Sequence, residues 1–136
     1  DLRIEQKNLM PIKEIFKKKG EKYFRTEEER EVLESLVKKN CVIALGGGAF
    51  INKNLRENIL RKAISVWLDS NIKTLSKRIR WNQNRPLVSK KDTLSTLEKL
   101  YSKRKNIYKM ANHKIACDKL GVENIAEKII QLYEKY

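Results

Sequence analysis

The run Cys41-Val42-Ile43-Ala44-Leu45-Gly46-Gly47-Gly48-Ala49 constrains the fold more than any other stretch of this chain. Cys41 to Leu45 are small or apolar, and they follow the polar Lys38-Lys39-Asn40. Such a run predicts a strand buried on both faces, as in a parallel sheet. Three of the five glycines of the chain then stand in a row. Backbone without Cβ can take φ > 0 and lets a ligand approach bare N–H groups. Open α/β sheets bind their ligands at the carboxyl ends of such strands. A tight structural turn is the competing reading of Gly46-Gly47-Gly48. The place after a buried strand, with arginines spaced elsewhere in the chain, favours a binding site.

A chain of 136 residues suffices for one domain with a single core. No apolar run approaches the ~20 residues of a membrane span, and Asp1-Leu2-Arg3-Ile4-Glu5 does not resemble a signal peptide. Cys41 and Cys117 both fall in predicted strands, form no Cys-x-x-Cys pair and have only His113 for company. That pattern speaks against zinc and against a disulfide framework, and predicts buried, reduced thiols of a cytoplasmic protein. The net charge of +14 raises nucleic-acid binding. The lysines, however, are spread over every predicted helix, with no basic stripe interleaved with aromatics. A lysine-rich solvated surface is expected, whose field draws anionic small molecules inward.

Pro11 opens a predicted helix with Ile12, Ile15 and Phe16 on one face, and Gly20 ends it as a left-handed cap. A second helix is predicted over 21–39, where Arg25 and Glu28 share a face and can pair. Asn52 caps a short helix to about Arg61. Ile64 to Leu68 reads as a strand, followed by a helix over 71–81 that carries Arg78. Residues 82–91 read as a mobile loop around Arg85-Pro86. A long helix runs from Asp92 or Thr93 to about Met110, then a strand over 114–117, then an amphipathic helix after Gly121. Strands alternating with helices predict a parallel α/β sheet. On the residues alone Arg25–Glu28 is a helix-surface pair, Arg78 and Arg104 are solvated, and Arg85 is loop chemistry.

In order along the chain stand Asp1-x-x-Ile4-Glu5, Ile15-Phe16-x-x-x-Gly20-Glu21-x-x-Phe24-Arg25-x-x-Glu28, Gly46-Gly47-Gly48-Ala49, Trp67-Leu68-Asp69, Arg85-Pro86-Leu87 and Arg104-x-x-x-Tyr108. Taken together, in this order and spacing, the chain resembles the shikimate kinases, small P-loop kinases of the chorismate pathway. The resemblance implies an α/β, P-loop kinase-like three-layer fold with a parallel sheet. It also implies a single domain over 1–136 with a lid at about 82–91, in a cytoplasmic and monomeric parent. The implied reaction transfers the γ-phosphate of ATP to a shikimate hydroxyl, with Mg²⁺. Arg25 and Arg104 match the arginines that bind the substrate carboxylate. Gly46, Gly47 and Gly48 match the turn whose N–H groups touch the substrate, and Glu28 would hold Arg25. Asp1 matches the carboxylate that binds ring hydroxyls and can accept a proton, making it and Arg85 the implied catalytic pair. Arg85 would reach the transferring phosphates from the lid, and Arg78 would pack on adenine.

One departure is large. A P-loop kinase cradles its phosphates with Gly-x-x-x-x-Gly-Lys-Ser/Thr, and these 136 residues contain no such motif. In the family the first, central strand, the P-loop and the Mg²⁺ ligands would lie before Asp1. The chain therefore reads as the family domain without its N-terminal part, with no metal ligands of its own. It is expected to be inactive as a kinase by itself and to leave strand edges unpaired. Competing readings are a related small-metabolite kinase such as a gluconate kinase, a non-catalytic shikimate-binding remnant, and a basic nucleic-acid-binding module.

Overall fold

The structure, a computed structural model, describes residues 1–81 and 93–136. The described residues fall into two compact units, 1–63 and 64–81 with 93–136. The predicted lid at 82–91 and Arg85 lie outside the described residues. No helix among the described residues is long and apolar enough to cross a membrane.

The first unit is helical. Helix α1, Leu2–Asn8, runs antiparallel to the long α2, Ile12–Ser35. Arg3 reaches Ser35, Lys7 pairs with Glu31 and Glu34, and Asn8 accepts from Tyr23 and Lys19. Sequence periodicity gives no sign of α1, because seven residues are too few to show an apolar stripe. Tertiary burial of Ile4 makes the helix instead. Ile4 packs with Ile12, Ile15 and Phe24, and Ile15 is wholly buried at 0% exposure. Pro11 stands just before α2 and has no side-chain cap to give. Glu5 supplies one, accepting the Ile12 N–H at 2.8 Å.

Gly20 interrupts α2 with φ 82° and ψ 168°. The positive φ agrees with the expected cap, but the ψ is extended rather than left-handed helical, in a region that only glycine occupies readily. Helix continues on both sides, so the residue acts as a kink. The helix then ends at Ser35 rather than near residue 39.

The segment 41–45 departs from expectation. It is not a strand, and Val42 is 93% exposed. Cys41 is likewise exposed rather than buried. An extended run becomes a strand only when neighbouring backbone takes its N–H and C=O groups. Among the described residues of the first unit there is no other strand to do so. The glycine turn follows, then a short 3₁₀ turn, Ala49–Ile51, and helix α3, Lys53–Lys62. Asn52 caps α3 as predicted, its side-chain oxygen accepting the Leu55 N–H at 3.1 Å.

The second unit is α/β. Strand β1, Val66–Asp69, pairs in parallel with β2, His113–Ala116, with Val66 opposite His113. Helices α4, Ile72–Trp81, and α5, Thr93–Tyr108, separate them in sequence and pack on each other. This is the crossover that a parallel pair requires. Asn112 fixes the register, its side-chain oxygen accepting from the Ser65 backbone at 2.9 Å and hydroxyl at 2.7 Å. Cys117 is buried just beyond β2. Helix α6, Val122–Tyr133, forms where predicted, but none of its residues is buried.

The kink makes a specific prediction. A Cβ added at Gly20 would meet nothing within 4 Å, so only the backbone conformation resists a side chain there. Gly20→Ala should destabilise the chain by about 1–3 kcal/mol, read as a lower urea midpoint. A higher midpoint would mean that α2 prefers to be one straight helix.

Candidate functional site

Helix α2 carries Arg25 and Glu28 on one face, three residues apart. The Arg25 Nη1 donates to Glu28 Oε2 at 2.6 Å, and Glu21 accepts from Nε at 3.4 Å and Nη2 at 3.3 Å. Glu28 is buried while Arg25 keeps 29% of its side chain exposed. A buried carboxylate thus anchors a guanidinium whose outer edge still meets solvent. The Phe24 ring lies beneath it, 5.2 Å from the Arg25 Cζ.

The glycine turn packs directly on this pair. A Cβ on Gly48 would stand 2.5 Å from the Arg25 Cζ and 2.6 Å from Nη2. A Cβ on Gly46 would stand 2.9 Å from Glu28 Oε1. Gly48 has an ordinary φ of −88°. Glycine is what lets the guanidinium come this close, whatever the torsions. Gly46 and Gly48 accept the Ala49 and Ile51 N–H groups at 3.1 Å each, which winds the turn into the 3₁₀ segment. The arrangement sets a partly exposed cation beside backbone stripped of side chains, which is a place for a small anion.

Among the residues expected at the site, the structure brings Arg25, Glu28, Gly46 and Gly48 together in the first unit, with Gly47 between the two glycines. Asp1 is in the same unit, exposed, at the N-cap position of α1. Its backbone carbonyl accepts the Glu5 N–H at 3.0 Å, and its side chain makes no cap bond. Arg104 lies half-buried on α5 and Arg78 lies exposed on α4, both in the second unit. Arg78 is near enough to Cys117 for its charge to act on the thiol, but burial wins and pushes the Cys117 thiol up.

Asp69 closes the Trp67-Leu68-Asp69 motif at the end of β1. Its carboxylate pairs with Lys114 at 2.8 Å and accepts from the Tyr101 hydroxyl at 3.2 Å. Partial burial, then the Asp69 charge, raises the Tyr101 pKa, so the phenol keeps its proton as a donor. Asp118 accepts the Asn71 N–H at 2.9 Å and so ties the end of β2 to the start of α4. A groove of 680 Å³ between β2 and α6 is lined by Lys114, Lys119, Lys128 and Lys135, and it contains none of the motif residues.

Comparison with known proteins places this geometry. The shikimate kinase family model matches residues 1–134. The chain belongs to the shikimate kinase family. The shikimate kinase of Bartonella henselae is 35% identical over 136 residues, all of this chain and 65% of that protein. The shikimate kinase of a Sulfurihydrogenibium species is 38% identical over 131 residues, 96% of this chain and 77% of its own length. The solved shikimate kinase from Acinetobacter baumannii, in complex with shikimate, superposes with a TM-score of 0.93 at 32% identity. That match covers 99% of this chain and 76% of the Acinetobacter chain. The chain thus spans just under two thirds of the Bartonella relative. Its helix-rich α/β structure with a parallel sheet is that of the shikimate kinases, a P-loop kinase fold.

The sequence placed Glu21 in a motif without a role and gave no sign of Glu29, Asn54 and Arg56, and all four buttress the pair and the turn. Glu21 was within reach, since it lies four residues before Arg25 on a predicted helix. The close approach of Gly48 to Arg25 gives a test. Gly48→Ala should push the guanidinium off Glu28 while leaving the fold intact, because a long side chain can yield. The Arg25 Nε resonance should then shift and broaden, with the urea midpoint lowered by no more than about 1–3 kcal/mol of stability. An unchanged Nε signal would contradict the packing.

Proposed function

We propose that the chain carries the substrate-recognition side of a shikimate kinase, which transfers the γ-phosphate of ATP to a shikimate hydroxyl. The observation that carries this is the Arg25 guanidinium, anchored by Glu28 and pressed against Gly48. Shikimate is a ring with one carboxylate and several hydroxyls. A guanidinium beside bare backbone suits the carboxylate, since paired N–H donors match its two oxygens.

In this proposal Arg25 binds the carboxylate and Glu28 keeps the guanidinium turned toward it. Gly46, Gly47 and Gly48 offer close backbone approach. Arg104 is proposed as the second carboxylate-binding arginine on the strength of Arg104-x-x-x-Tyr108. Asp1 is proposed to bind ring hydroxyls and accept the proton of the attacking one. Arg85 is proposed to meet the phosphates and Arg78 the adenine. Residues 1–136 are read as parts of one domain, with a lid at about 82–91, in a cytoplasmic, monomeric enzyme without nucleic-acid partners.

ATP and Mg²⁺ belong to the proposed reaction, but the residues present do not fit them. The sequence holds no Gly-x-x-x-x-Gly-Lys-Ser/Thr. Among the described residues no cluster of three or more His, Cys, Asp or Glu could hold a metal ion. The chain alone is expected to bind shikimate without releasing ADP from ATP. Shikimate binding without transfer is thus the second reading, favoured by the same missing motif.

Calorimetric titration of the 136-residue chain tests the proposal. Shikimate should bind, and Arg25→Ala should weaken it at least about tenfold, the loss of one charge-assisted contact. ATP with Mg²⁺ should give no heat. Folded protein silent toward shikimate would overturn the proposal, and shikimate-dependent ADP release would overturn the expected inactivity.

A further inference from the structure

We infer that Glu29 is a positioning residue, whose carboxylate fixes the glycine turn against Arg25 by bridging Asn52 and Asn54. The inference deepens the proposal above and rests on its reading of the turn and Arg25 as the carboxylate site.

Arg25, Glu28 and Glu29 stand three and four residues apart, so one face of α2 presents all of them. Arg25 meets Gly48, Glu28 meets Gly46, and Glu29 takes hold of the chain beyond the turn. The Asn52 Nδ2 donates to Glu29 Oε2 at 2.9 Å, and the Asn54 Nδ2 donates to Glu29 Oε1 at 2.7 Å. Both carboxylate oxygens are therefore engaged. Asn52 uses its other amide atom to cap α3 through the Leu55 N–H at 3.1 Å. Arg56 closes the arrangement, its Nη1 donating to the Phe50 and Ile51 carbonyls at 3.1 and 3.0 Å.

The consequence lies in the glycines. Three glycines in a row have the loosest backbone a chain can offer, and ordering them costs about 1–2 kcal/mol per residue. Two backbone hydrogen bonds tie the turn to the 3₁₀ segment at 3.1 Å each, so loosening that segment loosens the turn. Glu29 fixes its far end to the same helix that carries Arg25. The ordering cost is met before a ligand arrives, which raises affinity without any contact to the ligand. A plain staple between α2 and α3 is the competing account, and it would affect α3 as much as the turn.

Glu29→Gln separates them. The new amide can accept from one asparagine, but it turns its own N–H₂ toward the other. Asn52→Asp added to it should repair the bridge, because aspartate accepts that N–H₂ and still caps α3. Hydrogen exchange is read at the Ala49 and Ile51 amides, which donate to the Gly46 and Gly48 carbonyls, against the Ile59 amide inside α3, without ligand. Glu29→Gln should speed the Ala49 and Ile51 amides about tenfold relative to Ile59, and weaken shikimate binding by about the same factor. The double variant should restore both to within about threefold. Ala49 and Ile51 exchange that is unchanged, or that rises only in step with Ile59, overturns the inference. If shikimate fails to bind even the unaltered chain, the proposed function falls while the exchange result still decides the role of Glu29. Should Glu29→Gln not fold, Asn54→Ala removes one arm of the bridge and is read by the same exchange ratio.

Discussion

The first unit is organised around one ion pair, Arg25 on Glu28, with a glycine turn laid across it. Burying Glu28 is unfavourable unless its charge is matched, and the 2.6 Å bond from Arg25 supplies the match. The same bond sets the direction of the guanidinium. Gly46 and Gly48 then follow from geometry, since a Cβ at either position would run into the pair. Glu21, Glu29, Asn52 and Arg56 support this arrangement from α2 and from the chain after the turn. The proposed function depends on the same contact, because the half-exposed outer edge of Arg25 is where the anion is proposed to be received.

Gly20 and Gly48 show two distinct reasons for a glycine. At Gly20 there is room for a side chain but the backbone forbids one, with φ 82° and ψ 168°. At Gly48 the backbone is ordinary and the space is taken. The first bends α2 and the second brings the turn onto Arg25. Only the structure separates the two reasons, since glycine looks the same in both places.

Much of the fold was legible in the residues. Asn52 before an apolar-periodic stretch signalled α3, and the strand–helix–helix–strand order of the second unit followed from Ile64 to Leu68, the two helical patterns and the Lys114–Cys117 run. Arg25 and Glu28 could be paired from spacing alone, but their contact with Gly46 and Gly48 could not, because it joins residues far apart in sequence. Glu29 was invisible for the same reason, as its partners Asn52 and Asn54 come from another element. The segment Cys41–Leu45 shows the opposite failure. Its composition is that of a buried strand, yet strand formation depends on neighbours, which no local pattern records. Helix α1 exists because Ile4 is buried against α2, not because of its own periodicity.

In the proposed function the Arg25 guanidinium, set by Glu28 and the glycine turn, recognises a carboxylate. The most direct measurement compares shikimate with its methyl ester by titration while following the Arg25 Nε and Gly48 amide resonances. The ester keeps the ring and hydroxyls but loses the charge. Shikimate should move both resonances, and the ester should bind at least about tenfold more weakly. An ester that binds as well as the acid, or an acid that binds without moving either resonance, would contradict the proposal.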